Sequence, residues 1–151
     1  MDEALVNMVV KDLQPFFIVD DSGFKNFVAL LDPIYTLSSR QALKNMVVHK
    51  YEEEKTKARA VMQSVEAVSL TSDMWTSINM ETYLLAVTCH YVDDSAKLAT
   101  VLLGVLPFPK SHTADNISAT KRSLMEEWGI EGKVTSIVTD AGANMVASVR
   151  N

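Results

Sequence analysis

Two aspartates, Asp73 and Asp140, are the residues of this sequence best placed for chemistry. Each directly follows a run rich in Val, Leu, Ile and Thr, residues 66–72 in the first case and Val134 to Thr139 in the second. Runs of that composition read as β-strands, so both carboxylates stand where strands end. If the two strands are neighbours, the carboxylates meet at one sheet edge. Two-metal phosphoryl transfer needs such a pair, because hard oxygen ligands hold Mg²⁺ or Mn²⁺ ions about 3.5–4 Å apart to activate the attacking oxygen and stabilise the leaving one. Plainer readings exist for each residue. Asp140 precedes a helix and can cap it, where free N–H groups and the helix dipole favour a carboxylate. Asp73 can simply shape a turn. Taken singly, residue type favours the plainer reading for both.

The remaining candidates are weaker. Cys89 and His90 are adjacent on a strand, so they point to opposite faces and cannot act as nucleophile and base. With one cysteine and histidines at 49, 90 and 112, the chain has no internal disulfide and no zinc-ligand spacing. His112, at a helix start, reads as a capping or surface group, and His49, on a long helix, as solvent-exposed. Trp75 and Trp128 could stack on bases, but at these spacings they read first as core.

The elements that must position the two acids follow from periodicity. Leu5, Met8, Val9 and Leu13 fall at helical spacing, and Pro15 closes that segment. Asp21 and Ser22 can cap a second helix with an apolar stripe of Phe24, Phe27, Val28 and Leu31, ended by Pro33. From Ser39 to about Val65 neither Gly nor Pro interrupts one long helix, whose charged middle, Lys50 to Arg59, reads as a solvated face. The period then changes. Residues 66–72, 83–92 and 97–106 read as three antiparallel strands, with Asn79 and Asp93-Asp94-Ser95 as turns and Pro107 and Pro109 ending the third. Thr113 or Ser111 can cap a helix through Ile117, Leu124 and Trp128 to Gly129; Val134 to Thr139 reads as a fully buried strand, and Gly142 leads into a last short helix. The expected class is α/β: a helical lead-in, residues 1–65, then β-β-β-α-β-α with a mixed sheet, residues 66–151. The helical crossover makes the fourth strand parallel to the first.

At 151 residues, 48% hydrophobic and 22% charged, the chain is about one domain's worth and can bury a core. No run approaches the roughly 20 apolar residues of a membrane span, and the N-terminus lacks the basic flank of a secretory signal, so a soluble intracellular setting without a membrane partner is expected. A net charge of −5 argues against a strong DNA-binding surface in this segment, since non-specific affinity comes mainly from Lys and Arg on phosphates.

Several segments together carry a family resemblance. Thr71-Ser72-Asp73-Met74-Trp75-Thr76-Ser77 is similar to the region around the first catalytic aspartate of hAT transposases, and Val138-Thr139-Asp140-Ala141-Gly142-Ala143-Asn144-Met145-Val146 to that around the second. His112-Thr113-Ala114-Asp115-Asn116-Ile117, the helix ending in Trp128, and Lys133-Val134 also resemble that pattern. Upstream, Gly23-Phe24-Lys25-Asn26-Phe27 and Leu31-Asp32-Pro33-Ile34-Tyr35 through Ser39-Arg40 resemble the helical lead-in of BED-type zinc-finger relatives, although Ser38 stands where relatives often have proline. The resemblance implies the first part of a ribonuclease-H-like catalytic domain. It makes Asp73 and Asp140 the first two acids of an Asp-Asp-Glu triad and candidate Mg²⁺ or Mn²⁺ ligands. The third acid would follow a helical insertion downstream, and the BED finger and dimerisation segment also have no counterpart here.

Two functions follow from that resemblance. One is a metal-dependent transposase that cuts and joins DNA strands. The other, favoured for this segment because it lacks the third acid and the finger, is a domesticated nuclear protein that associates with DNA through other regions and does not cut. An actin-like ATPase shares the strand order, but residues 71–82 contain no glycine for a phosphate loop. A fifth strand would pair beside the fourth, so without it self-association is expected, by the fourth strand's apolar edge or by the helical arm.

Overall fold

The computed structural model describes residues 1–76, 82–108 and 113–150. Ser77, Asn79, Pro109, Ser111 and His112 lie outside the described residues. The chain divides into two compact units, Met1–Thr56 and Lys57–Asn151, and the division falls inside one long helix, α3.

In the first unit, α1 (Asp2–Lys11), a 3-10 helix (Phe16–Asp20), α2 (Ser22–Leu31) and the early turns of α3 (Arg40–Ser64) enclose a small core of Leu5, Val6, Val9, Val19 and Leu43. The 3-10 helix was not foreseen; it follows Pro15, whose extended backbone carries the chain out of α1. Only part of the α2 stripe is used. Val28 is buried and Phe24 packs on the core, whereas Phe27 and Leu31 are 57% and 65% exposed. Arg40 Nε donates to Asp20 at 2.9 Å, and the Tyr35 hydroxyl donates to Asp2. Burial, reinforced by the Asp2 carboxylate, pushes the Tyr35 phenol up to about 12.

The second unit contains β1 (Val68–Thr76), β2 (Tyr83–Val92), β3 (Leu98–Phe108), α4 (Ala114–Trp128), β4 (Val134–Thr139) and α5 (Ala143–Arg150). The sheet order is β3-β2-β1-β4, with β1, β2 and β3 antiparallel and β4 parallel to β1 after the crossover through α4. This is an α/β arrangement with the strand and helix order of a ribonuclease-H-like fold. Val68, Leu70, Leu85, Val87, Cys89 and Leu103 line the covered sheet face and pack with Met62 of α3, Ile117, Leu124 and Trp128 of α4, and Met145 of α5. Thr113 Oγ1 accepts the Asn116 N–H at 3.4 Å to start α4, and Gly129, at φ +66°, ends it in the left-handed conformation that glycine adopts without strain.

Two strand boundaries and the burial of a third strand differ from expectation for identifiable reasons. β1 continues past residue 72 because Asp73 to Thr76 remain paired with Ala86 to Tyr83 on β2. β3 continues through Pro107, which is tolerated because β3 lies at the sheet margin, where a missing N–H breaks no second ladder. β4 lies at the opposite margin and is not fully buried. Val134 and Ile137 pack on the core, while Val138 is 59% exposed.

Lys133 ties the start of β4 to the end of α3. Its Nζ donates to the carbonyls of Met62 and Gln63 at 2.9 and 2.8 Å, where a cation also complements the helix dipole. Lys133→Met is therefore expected to cost about 1–3 kcal/mol, the range for hydrogen bonds to a charged group. Urea unfolding of the chain measures it, and a loss below about 0.5 kcal/mol, ordinary for a surface substitution, would count against this tie.

Candidate functional site

The register between β1 and β4 pairs Thr71 with Val138 and Ser72 with Thr139. Asp73 and Asp140 are the residues that directly follow this last pair, Asp73 still on β1 and Asp140 just past the end of β4. The topology therefore makes neighbours of the two strands that lead to the residues singled out from sequence. Asp73 does not end its strand, because it still pairs with Ala86, whereas Asp140 directly follows β4. Along β1, Val68, Leu70 and Ser72 are buried and Asp73 is exposed, so the first acid stands on the face opposite the core. Asp140 is exposed as well.

Asp140 also has a local role. Its Oδ1 accepts the Gly142 N–H at 3.0 Å, forming a turn directly ahead of α5. This bond occupies one carboxylate oxygen. A Cβ at Gly142 would stand 3.0 Å from that same oxygen, so a larger residue there would have to push the carboxylate aside.

Directly before the acids, Ser72 and Thr139 are cross-strand partners whose buried hydroxyl oxygens have no hydrogen-bond partner among the described residues. Buried hydroxyls in that condition are costly, so the sheet end bearing the acids is kept polar against stability. Both acids are exposed, and carboxylates are hard oxygen donors that suit Mg²⁺ or Mn²⁺. Among the described residues no three His, Cys, Asp or Glu cluster as a metal site.

One residue of this region was missed from sequence. Lys121 is 1% exposed, at the centre of the α4 face formed by Ile117, Leu124 and Trp128. Its Nζ donates to Ser148 Oγ of α5 at 3.0 Å, and Ser148 Oγ donates to the Met145 carbonyl at 2.7 Å. Burial pushes the Lys121 ammonium down, and the Asp140 charge partly offsets this. The available signal was a lysine inside an otherwise apolar helical stripe.

The other candidates separate. Cys89 is fully buried, its sulfur 3.8 Å from that of Met62, and burial pushes the thiol up. His90 lies on the opposite face, with Nε2 3.0 Å from Thr71 Oγ1 and Nδ1 3.2 Å from Thr100 Oγ1. His49 is exposed and lies 3.5 Å from Glu53. Trp128 is core, with its indole N–H donating to the Leu103 carbonyl at 3.0 Å. Trp75 departs from the core expectation. It is 41% exposed, because alternation along β1 puts it on the same open face as Asp73.

Residues 71–151 match the family described as the ZBED1 RNase-like domain. The chain is 35% identical over 135 residues to the "Putative AC transposase" of Zea mays, covering 88% of this chain and 17% of that protein. It is 30% identical over 160 residues to the "Transposable element Hobo transposase" of Drosophila melanogaster, covering 95% of this chain and 24% of that protein. It is 29% identical over 139 residues to the "Zinc finger BED domain-containing protein DAYSLEEPER" of Arabidopsis thaliana, covering 89% and 19%. The chain thus spans only about a sixth to a quarter of the length of these relatives. Among the described residues, no helix is long and apolar enough to cross a membrane. With its acid-bearing strands in the ribonuclease-H-like order, the chain belongs to the ZBED1 RNase-like domain family, and so to the hAT-type transposase-derived proteins.

Proposed function

We propose that this chain carries the acid-bearing sheet edge of a nuclear, DNA-associated protein, in which Asp73 and Asp140 are two of the ligands for Mg²⁺ or Mn²⁺. The observation that carries the reading is the register: Ser72 opposite Thr139 makes the next residue of each strand an acid. When bound, the metal supplies charge stabilisation of a phosphoryl oxygen and activation of water or a 3′-hydroxyl. The protein's own contribution is placement. β2 holds Asp73 in line through the Asp73–Ala86 pair, and the Gly142 N–H holds one oxygen of Asp140. With a net charge of −5, DNA is held mainly by regions outside this chain.

Two carboxylates alone leave a metal pair under-held. The chain by itself is therefore expected not to nick or join DNA with Mg²⁺ or Mn²⁺, and acts as a scaffold for the rest of the protein. Supercoiled-plasmid nicking is the assay; metal-dependent nicking by the purified chain, abolished by Asp73→Asn, overturns this. The same assay on the complete protein separates two readings. Cleavage there identifies an active Asp-Asp-Glu transposase, and DNA association without cleavage identifies a domesticated regulator.

Self-association is the proposed partner behaviour of the isolated chain. β4 pairs with β1 on one side and lies at the sheet margin, flanked by Val138, Val146 and Val149, which are 59%, 36% and 38% exposed. An apolar strand edge of this kind is a template for further pairing. Sedimentation should show concentration-dependent oligomers that Val138→Lys suppresses; a strict monomer at all concentrations removes the proposal.

A further inference from the structure

We infer that Lys121 is a positioning residue for Asp140: a buried side chain on α4 that fixes α5 through Ser148 and so holds the second acid in place. The inference rests on the acid-pair reading given above. Burying an ammonium is costly, and its place on α4, among Ile117, Leu124 and Trp128, could be filled by leucine or methionine without that cost. Packing alone therefore does not account for a lysine there.

The connections run toward the acid. Lys121 Nζ holds Ser148 Oγ, which in turn holds the Met145 carbonyl, so the link engages both the middle of α5 and its first turn. α5 begins at Ala143, and the residue before it, Gly142, donates its N–H to Asp140. A displacement of α5 is thus passed to the carboxylate through one turn of backbone. The Asp140 charge acts in turn on Lys121, partly offsetting the effect of its burial. Lys121 approaches from the helix-covered side of the sheet, whereas Asp73 stands on the open side. Partners that orient a ligand from behind typically change metal affinity by about 10–100-fold when removed.

The test uses the chain with Mn²⁺ as probe, following Mn²⁺ affinity by water-proton relaxation and Gly142 amide exchange by NMR. Lys121→Met should keep a thermal melt at or above that of the unaltered chain, since a buried charge is removed. It should bind Mn²⁺ about tenfold more weakly and exchange the Gly142 amide about tenfold faster. Lys121→Arg should restore part of both. Ser148→Ala, which breaks the link but keeps the ammonium, should reproduce both changes and decides the matter if Lys121→Met does not fold. Unchanged Gly142 exchange and Mn²⁺ affinity in Lys121→Met, or in Ser148→Ala if that variant must decide, overturn the inference. If Asp73→Asn and Asp140→Asn bind Mn²⁺ like the unaltered chain, the acid-pair reading fails instead; Gly142 exchange still reports whether Lys121 holds the turn.

Discussion

Where the complete protein cleaves DNA, Asp73→Asn is expected to lower its Mn²⁺-dependent strand cleavage by about a hundredfold to a thousandfold, since a metal ligand's contribution of several kcal/mol converts at 1.36 kcal/mol per tenfold. The fold should not change. Asp73 is exposed, its backbone pairing with Ala86 does not involve the side chain, and asparagine has nearly the same shape. Stability is therefore expected to move by no more than about 0.5 kcal/mol. Asp140→Asn makes a sharper comparison. Its amide oxygen can still accept the Gly142 N–H, so the turn into α5 survives while the negative charge is lost. If Asp140 served only that turn, the substitution would be nearly silent; as a metal ligand it must fall in activity together with Asp73→Asn. Cleavage at the unaltered rate in either variant, with metal limiting, ends the catalytic assignment of that residue.

The adjacency of the strands leading to Asp73 and Asp140 was legible in sequence because the information needed was topological. Two apolar runs, separated by two further strands and a helix, become neighbours when the crossover makes the fourth strand parallel to the first, and the Ser72–Thr139 register shows this. Strand ends were less legible. Pro107 and residue 72 looked like terminators, but a proline is harmless at a sheet margin, and β1 is prolonged by its pairing with β2. Burial of β4 was over-read for a related reason: an apolar run looks the same whether both faces or one are covered, and the exposure of Val138 shows one. Lys121 escaped notice because lysine is ordinarily solvated, and only the packing of α4 against α5 buries it. The open half of the α2 stripe, Phe27 and Leu31, could not be separated from Phe24 and Val28 by periodicity, since all four share the helical repeat.

The largest stability effect is expected at Trp128. The side chain is 4% exposed, contributes to the core of the second unit, and donates its indole N–H to the Leu103 carbonyl of β3 at 3.0 Å. Arg59 of α3 lies over the ring at 5.8 Å and also bonds the Glu127 carbonyl beside it, so one residue joins a strand and two helices. Trp128→Ala removes the ring, leaves a cavity and strips the Leu103 carbonyl of its donor, at an expected cost of about 3–5 kcal/mol. Small domains are stable by only about 5–15 kcal/mol, so this substitution takes a large share of the total. Trp128→Phe divides the cost: it restores much of the ring's burial but not the N–H, and should lose about 1–3 kcal/mol from the unpaired carbonyl and the remaining void. Trp75→Ala is the contrast, because that ring is 41% exposed on the uncovered sheet face. It should cost about 1 kcal/mol or less, near the centre of ordinary point substitutions. Urea unfolding of the three variants measures the order directly. Equal losses for the two tryptophans, or a loss below about 1 kcal/mol for Trp128→Ala, would mean that the α3, α4 and β3 junction does not carry the core of this unit.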